Sequence, residues 1–270
     1  MSGILRAEFL KLKGSRIPWI CSAGIAALPC AYALVGLASR WGTVGWPWEL
    51  FLAWNLTLIL YIVGPVLLGL LASHIFAREF VEGTASNLFA TPVNRESIVA
   101  AKFVVLLVWS LFPGLLAFLV SVPLGLCIGL SGFSWEVLLW AFPRYALSGL
   151  LMYLTLPLVA LISMVTREYI RPTVFTILAT SVAVIDPTRI AIFFAFLLGL
   201  RWPVLGYLTF LAQVYPYSLP RIIVFGTSRD LDYFGGHLAS SAAEFWVLLG
   251  TFAIGVLLNV LYLRKAQIGK

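Results

Sequence analysis

Charge is what this sequence has least of. Asp, Glu, Lys and Arg make up 11% of its 270 residues, against about a quarter in a typical soluble domain. None of the four occurs between Leu50 and Ala77, nor between Phe103 and Trp135. With 61% hydrophobic residues and a mean hydropathy of +1.01, the chain has too few polar side chains to coat a water-facing surface. A soluble globular domain is excluded. The G-x4-G-K-[ST] phosphate loop is also missing, which excludes ATP binding by that mechanism in this chain. No H-E-x-x-H or G-x-S-x-G motif is present, so the zinc-protease and serine-hydrolase signatures fail. Histidine is scarce: His74 and His237 fall on opposite sides of the expected topology, and His74 reads as a hydrogen-bonded residue at a helix end. Cys21, Cys30 and Cys127 lie in or beside apolar runs without metal-ligand spacing, as small packing residues do. No catalytic constellation and no metal site is expected.

What the sequence does have is apolar length. Several runs exceed the roughly 20 residues that a helix needs to cross about 30 Å of hydrocarbon. They are too long and too unbroken by alternation for barrel strands, and unpaired backbone is prohibitive in lipid, so helices follow. The fold class is an all-α integral membrane protein. Net charge is +7, but the basic residues flank the runs, as the positive-inside rule expects. A nucleic-acid partner is not expected; membrane lipid is.

Six spans are expected, at about 17–37, 50–75, 103–127, 145–165, 169–188 and 245–263. Residues 1–16 precede them and 17–270 form one transmembrane domain. The first span reads as uncleaved, since no small-residue cleavage signature follows the charged start. Trp41, Trp46 and Trp48 mark the first loop as interfacial, because indoles concentrate at the lipid–water boundary. Arg144 and Asp186 are expected at interfaces. The path of 186–214 is open between a re-entrant hairpin, with an outer region at 189–220, and a complete span at 190–211. Six spans with both termini inside place twelve of the 18 basic residues on the inner side; a seventh span would put the basic C-terminus outside.

Two polar stretches stand out. In Met1–Arg16, Leu5, Phe9 and Leu12 share one helical stripe, flanked by Arg6, Lys11 and Lys13, a pattern suited to a helix lying in the headgroup layer with its basic side chains toward anionic lipid. The second is Arg78–Lys102, a polar island between two uncharged runs. Gly83 lets the chain turn and Thr84 can cap a short helix over 85–90. Pro92 limits that helix, because it disfavours helical backbone at Thr91. Leu88 and Phe89 give the segment an apolar tip, suited to a groove on a partner protein.

The pattern E-G-T-x3-L-x3-P-x2-R, realised as Glu82, Gly83, Thr84, Leu88, Pro92 and Arg95 with Lys102 further on, resembles the cytoplasmic segment of type-2 ABC transporter permeases. Glu8, Lys11, Lys13 and Arg16 before an apolar run resemble their N-terminal elbow helix. Six spans in this length fit the bacitracin-resistance and lantibiotic-immunity permeases of that family. The resemblance covers the whole chain in architecture and about 25 residues in motif.

It implies that 78–97 is a coupling segment, with Glu79, Glu82, Gly83, Thr84, Leu88, Pro92 and Arg95 contacting a separate ATP-binding subunit. It also implies an outer helical hairpin before the last span. ATP and Mg would then belong to the partner ATPase, with no cofactor in this chain, and a second permease copy or homologue would complete a homo- or heterodimer. The expected function is the permease subunit of an exporter in the bacterial cytoplasmic membrane, moving an amphipathic or lipidic substrate such as an antimicrobial peptide or drug. An ion-coupled secondary transporter, which needs acids within its spans, and a non-transporting assembly factor are the alternatives.

Overall fold

The computed structural model of the protein describes residues 2–84, 94–185 and 242–265. Among these, every regular element is helical; a single β-bridge pairs Pro47 with Ser131. The helices are α1 (Ser2–Lys13), α2 (Ile17–Ala38), the one-turn α3 (Trp41–Val44), α4 (Trp48–Leu58), α5 (Gly64–Val81), α6 (Arg95–Ile128), α7 (Trp135–Tyr153), α8 (Leu156–Thr166), α9 (Ile170–Ile185) and α10 (Ala242–Lys265). A π-helical turn, Ile59–Val63, joins α4 to α5. Alternating chain direction leaves α1, the C-terminal ends of α5, α8 and α10, and the start of α6 at one end of the bundle, called here the near end.

Among the described residues, five helical stretches are long and apolar enough to cross a membrane: Ile17–Ala38, Gly64–Val81, Arg95–Ile128, Trp135–Thr166 and Phe245–Lys265. The chain is a multi-pass membrane protein. Within the expected span at 169–188 the described residues form α9, whose 16 residues rise about 24 Å at 1.5 Å per residue, shorter than the five; 186–188 lie outside the described residues. The expected outer region 189–220 lies outside the described residues.

Local chemistry sets the helix ends. Asn94 caps α6 by accepting from the Glu96 amide at 3.2 Å, and Ser134 caps α7 by accepting from the Val137 amide at 3.2 Å, each meeting an amide that the first turn leaves unpaired. Gly129 ends α6 at φ 76°, a left-handed conformation that glycine adopts without steric penalty. The helix from Trp135 breaks at Leu154–Thr155 just ahead of Pro157, whose ring tolerates a helix start but not an interior.

The helices pack through small residues. A Cβ on Gly114 would lie 2.7 Å from the Tyr145 carbonyl oxygen, and one on Gly149 would lie 2.5 Å from that of Ser110. α6 and α7 therefore touch backbone to backbone. In lipid, where apolar side chains gain nothing by leaving the solvent, such close approach is a main source of helix association. Asn259 adds a polar link, donating from Nδ2 to the Pro157 carbonyl at 2.9 Å where Gly255 of α10 crosses α8.

Three expectations change. Trp48 does not face outward from its loop: it is 1% exposed and lies on Gly125 and against Phe133, at 5.1 Å between ring centroids. The loop bridge puts it there, with the Trp48 amide donating to the Ser131 carbonyl and the Ser131 amide donating to that of Trp46. Second, the helix containing Arg144 begins ten residues earlier than the expected span at 145, at Trp135, so Arg144 sits inside a span. Third, the second span is not one α-helix but α4 and α5 joined through the π turn, which accommodates Pro65 at the start of α5.

Candidate functional site

The near end of the bundle holds most of the buried charge among the described residues. Glu8 of α1, Glu79 of α5 and Lys102 of α6 are 5%, 6% and 4% exposed. The Lys102 ammonium donates to both carboxylate oxygens of Glu79 at 2.7 Å and to the Ile75 carbonyl at 2.7 Å, and lies 3.5 Å from Glu8 Oε2. Lys11 donates to Glu8 Oε1 at 2.6 Å and to Glu79 Oε1 at 3.2 Å. Two carboxylates and two ammonium groups thus alternate and sum to zero. Charges removed from water need this pairing, because an unpaired one is expensive to bury.

Sequence position explains the arrangement. Glu79 lies just past the apolar run of α5 and Lys102 just before that of α6. On antiparallel helices these two boundaries come to the same depth. Glu8 and Lys11, three apart on α1, share one face and reach the same pair. Burial alone would lower the pKa of Lys11; its hydrogen bond to Glu8 and the charge of Glu79 outweigh that and hold it above the ordinary 10.5.

A second set of bonds ties the neighbouring ends. Arg78 donates from Nη1 to the Lys11 carbonyl at 2.7 Å, satisfying the C-terminus of α1, and from Nε to Glu82 at 2.8 Å. Arg95 donates to the Leu263 carbonyl at 2.8 Å, which does the same for α10, and Arg264 pairs with Glu96. His74 Nε2 lies 3.0 Å from the Ser15 hydroxyl; it is hydrogen-bonded, as expected, but sits about two turns inside α5 rather than at a helix end. Among the described residues no cluster of three or more His, Cys, Asp or Glu side chains could hold a metal.

The expected coupling residues divide into three groups. Glu79 is not a surface contact; it is buried in the ion-pair cluster and holds α1 and α6 together. Glu82, Gly83 and Thr84 are exposed, with Gly83 at φ 69° turning the chain off α5. Arg95 is half-buried at the start of α6, and Leu88 and Pro92 lie outside the described residues. Among the expected membrane-facing residues of α1, Leu12 is 4% exposed, Leu5 and Phe9 pack on the core, and Lys13 is exposed. Lys11 turns inward rather than toward lipid, because two carboxylates lie within reach. Glu8 as a partner of Lys102 was missed, and the available signal was the scarcity of acids, 11 in the chain.

The arrangement is therefore a rigid frame: α1, α5, α6 and α10 locked together on both sides of the segment 85–93. A family model of ABC-2 family transporter proteins matches residues 4–183, which run from within α1 through α5 and α6 into α9; α10 lies beyond the match.

The chain belongs to the ABC-2 transporter family.

A stretch of 136 residues is 29% identical to the bacitracin transport permease protein BCRB of Bacillus licheniformis, covering 50% of this chain and 65% of that protein. The match thus stops short of two thirds of that relative's length. Membership of the ABC-2 family marks this chain as a membrane transporter protein.

Proposed function

We propose that this ABC-2 permease is the membrane half of an ATP-driven exporter in the bacterial cytoplasmic membrane. It moves an amphipathic or lipidic substrate, of the antimicrobial-peptide or drug kind, using ATP and Mg bound by a separate ATPase chain. The observation that carries this reading is the frame of buried ion pairs and carbonyl caps flanking 85–93 in a chain of this family. A lever needs a fixed grip, and here the chain on each side of the segment is held by several helices at once.

In this reading 78–97 is the coupling segment. Glu82, Gly83 and Thr84 lead into the docking surface, Leu88 and Pro92 lie within it, and Arg95 returns the chain to the frame. Glu79 acts behind the surface, through Lys102 and Lys11. α9 completes a sixth span beside the five long helices, which puts both termini on the cytoplasmic side. α1 lies along the membrane surface as an elbow, with Lys13 and Arg6 toward lipid headgroups. A second permease copy or homologue lines the other side of the path. The name of the Bacillus licheniformis relative makes bacitracin the first cargo to test.

Purification of tagged protein from its native membranes in mild detergent tests this. A phosphate-loop ATPase is expected to co-elute. Glu82→Lys, which replaces an exposed acid beside Arg78, should weaken co-elution and transport together while leaving the permease folded. If the chain elutes alone and Glu82→Lys transports normally, the reading fails.

A further inference from the structure

The sequence places Arg144 at a membrane boundary, and the structure does not. α7 starts at Trp135, so the Arg144 Cα lies nine residues, roughly 13 Å, further along. The partner helix gives the same depth. Phe118 of α6 stacks edge-on with both Phe142 and Tyr145, each at 5.5 Å, and Gly114 lies against the Tyr145 carbonyl. Arg144 is therefore level with 114–118 of α6, near the middle of the uncharged run from Phe103 to Trp135. About 30 Å of hydrocarbon centred on that run puts the backbone of this arginine close to mid-depth.

Its side chain turns back one helical turn toward the Trp135 end. Nη1 donates to the Trp140 carbonyl at 2.9 Å, and the guanidinium carbon lies 4.2 Å from the Trp140 ring centroid. Among the described residues no carboxylate pairs with it, and its Nε is buried without a hydrogen-bond partner. The contrast with Lys102 is direct. That ammonium donates to both oxygens of the Glu79 carboxylate and to a carbonyl, while this guanidinium keeps its Nε without a partner among the described residues. A cation left unpaired inside a span is costly, and such residues in membrane proteins mark ligand or ion pathways. The Nε edge of a guanidinium is the planar fork that binds an oxyanion with two parallel hydrogen bonds. The indole already covers one face of that fork and removes it from water, where such bonds are weaker.

From this geometry we infer that Arg144 is a binding site for the oxyanion headgroup of an amphiphile, a phosphate above all, entering the bundle from the Trp135 end. Trp140 holds the guanidinium in place as a positioning residue. The inference rests on the transport reading for its biological purpose, but the site's binding is a property of this chain alone.

The test uses the purified full chain in a neutral sugar detergent, without any ATPase, and counts bound dodecyl phosphate by native mass spectrometry. Wild-type protein is expected to retain dodecyl phosphate, with Arg144→Met binding at least tenfold more weakly and Arg144→Lys between the two. Inorganic phosphate alone should not compete, since the site is reached through the apolar phase; effective competition by it would overturn entry as an amphiphile. Reconstitution in bilayers with and without phosphatidylglycerol separates the sources. Dodecyl phosphate displaced by that lipid makes a bilayer headgroup the natural occupant, and undisturbed binding makes it a cargo; both support the site. Equal retention by wild type and Arg144→Met overturns it. So does an Arg144→Met protein that is destabilised while Arg144→Lys is normal and neither differs in binding, the behaviour of an internal ion pair. Failure here leaves the ATPase co-elution result untouched, so the two readings fail separately.

Discussion

Lys102 holds Glu79 by both carboxylate oxygens at 2.7 Å, joining the last turns of one membrane helix to the first turns of the next. The two residues are 23 positions apart with the polar island between them, and each is under a tenth exposed. The pair closes the base of a loop whose far part is the expected contact with an ATPase. In water such a pair would contribute little. Here its value is directional, since removing either partner leaves a buried charge.

Lys102→Met and Glu79→Met should each lower stability by about 3–5 kcal/mol, whereas the two combined should lose much less, because no orphaned charge remains. Thermal unfolding in detergent, run as a double-mutant cycle, measures the coupling. Additive losses would show that the two side chains act independently.

Gly149 and Gly250 should respond in opposite directions to a methyl group. A Cβ at Gly149 meets the Ser110 carbonyl oxygen at 2.5 Å and the Leu111 Cα at 2.9 Å. Backbone cannot swing aside, so Gly149→Ala should destabilise by about 1–3 kcal/mol. Gly250 lies in α10 with nothing within 4 Å of such a Cβ, and Gly250→Ala should be neutral or stabilise by up to about 1 kcal/mol. Melting temperatures of the two variants provide the comparison.

Asn259→Leu removes the bond to the Pro157 carbonyl and should lower stability by about 0.6–2 kcal/mol, the range for polar links between membrane helices. Cysteine cross-linking between α8 and α10 should slow in the variant. An unchanged rate would mean that Gly255 against Pro157 suffices to hold the crossing.

Lys11 gives a pH signature at the alkaline end. Its folded pKa is raised above 10.5, so its contribution to stability is complete below the unfolded value and is lost as pH rises through the folded one. The stability difference between wild type and Lys11→Gln should be constant through neutral pH and shrink above about pH 10.5. A difference that grows with alkalinity would contradict the pairing with Glu8 and Glu79.

The carbonyl cap on α1 offers a further check. Arg78→Gln loses the bond to the Lys11 carbonyl and the Glu82 pair, and should loosen α1 by about 1.5–3 kcal/mol. Hydrogen exchange should rise in α1 more than in α2 or α6.

Much of this protein is written in its sequence by length and by charge placement. A run of about 20 uncharged apolar residues leaves the backbone no partner but itself, so helices and a membrane follow from composition alone. The resemblance carried by the Glu82–Arg95 stretch is equally local, readable without knowing where any helix packs.

What only the tertiary structure decided is which charges face each other and how deep they lie. Glu79 reads as one more acid in a polar loop until α5 and α6 run antiparallel and bring Lys102 to its depth. Lys11 reads as lipid-facing until α1 folds onto that pair. Trp48 reads as an outward-facing loop indole until the bridge between Pro47 and Ser131 draws it over Gly125, and Arg144 reads as a span boundary until α7 begins at Trp135. The physical reason is common to all four. In a low dielectric, the energy of a charge or an indole depends on neighbours supplied by other helices, and sequence spacing along one helix does not specify them.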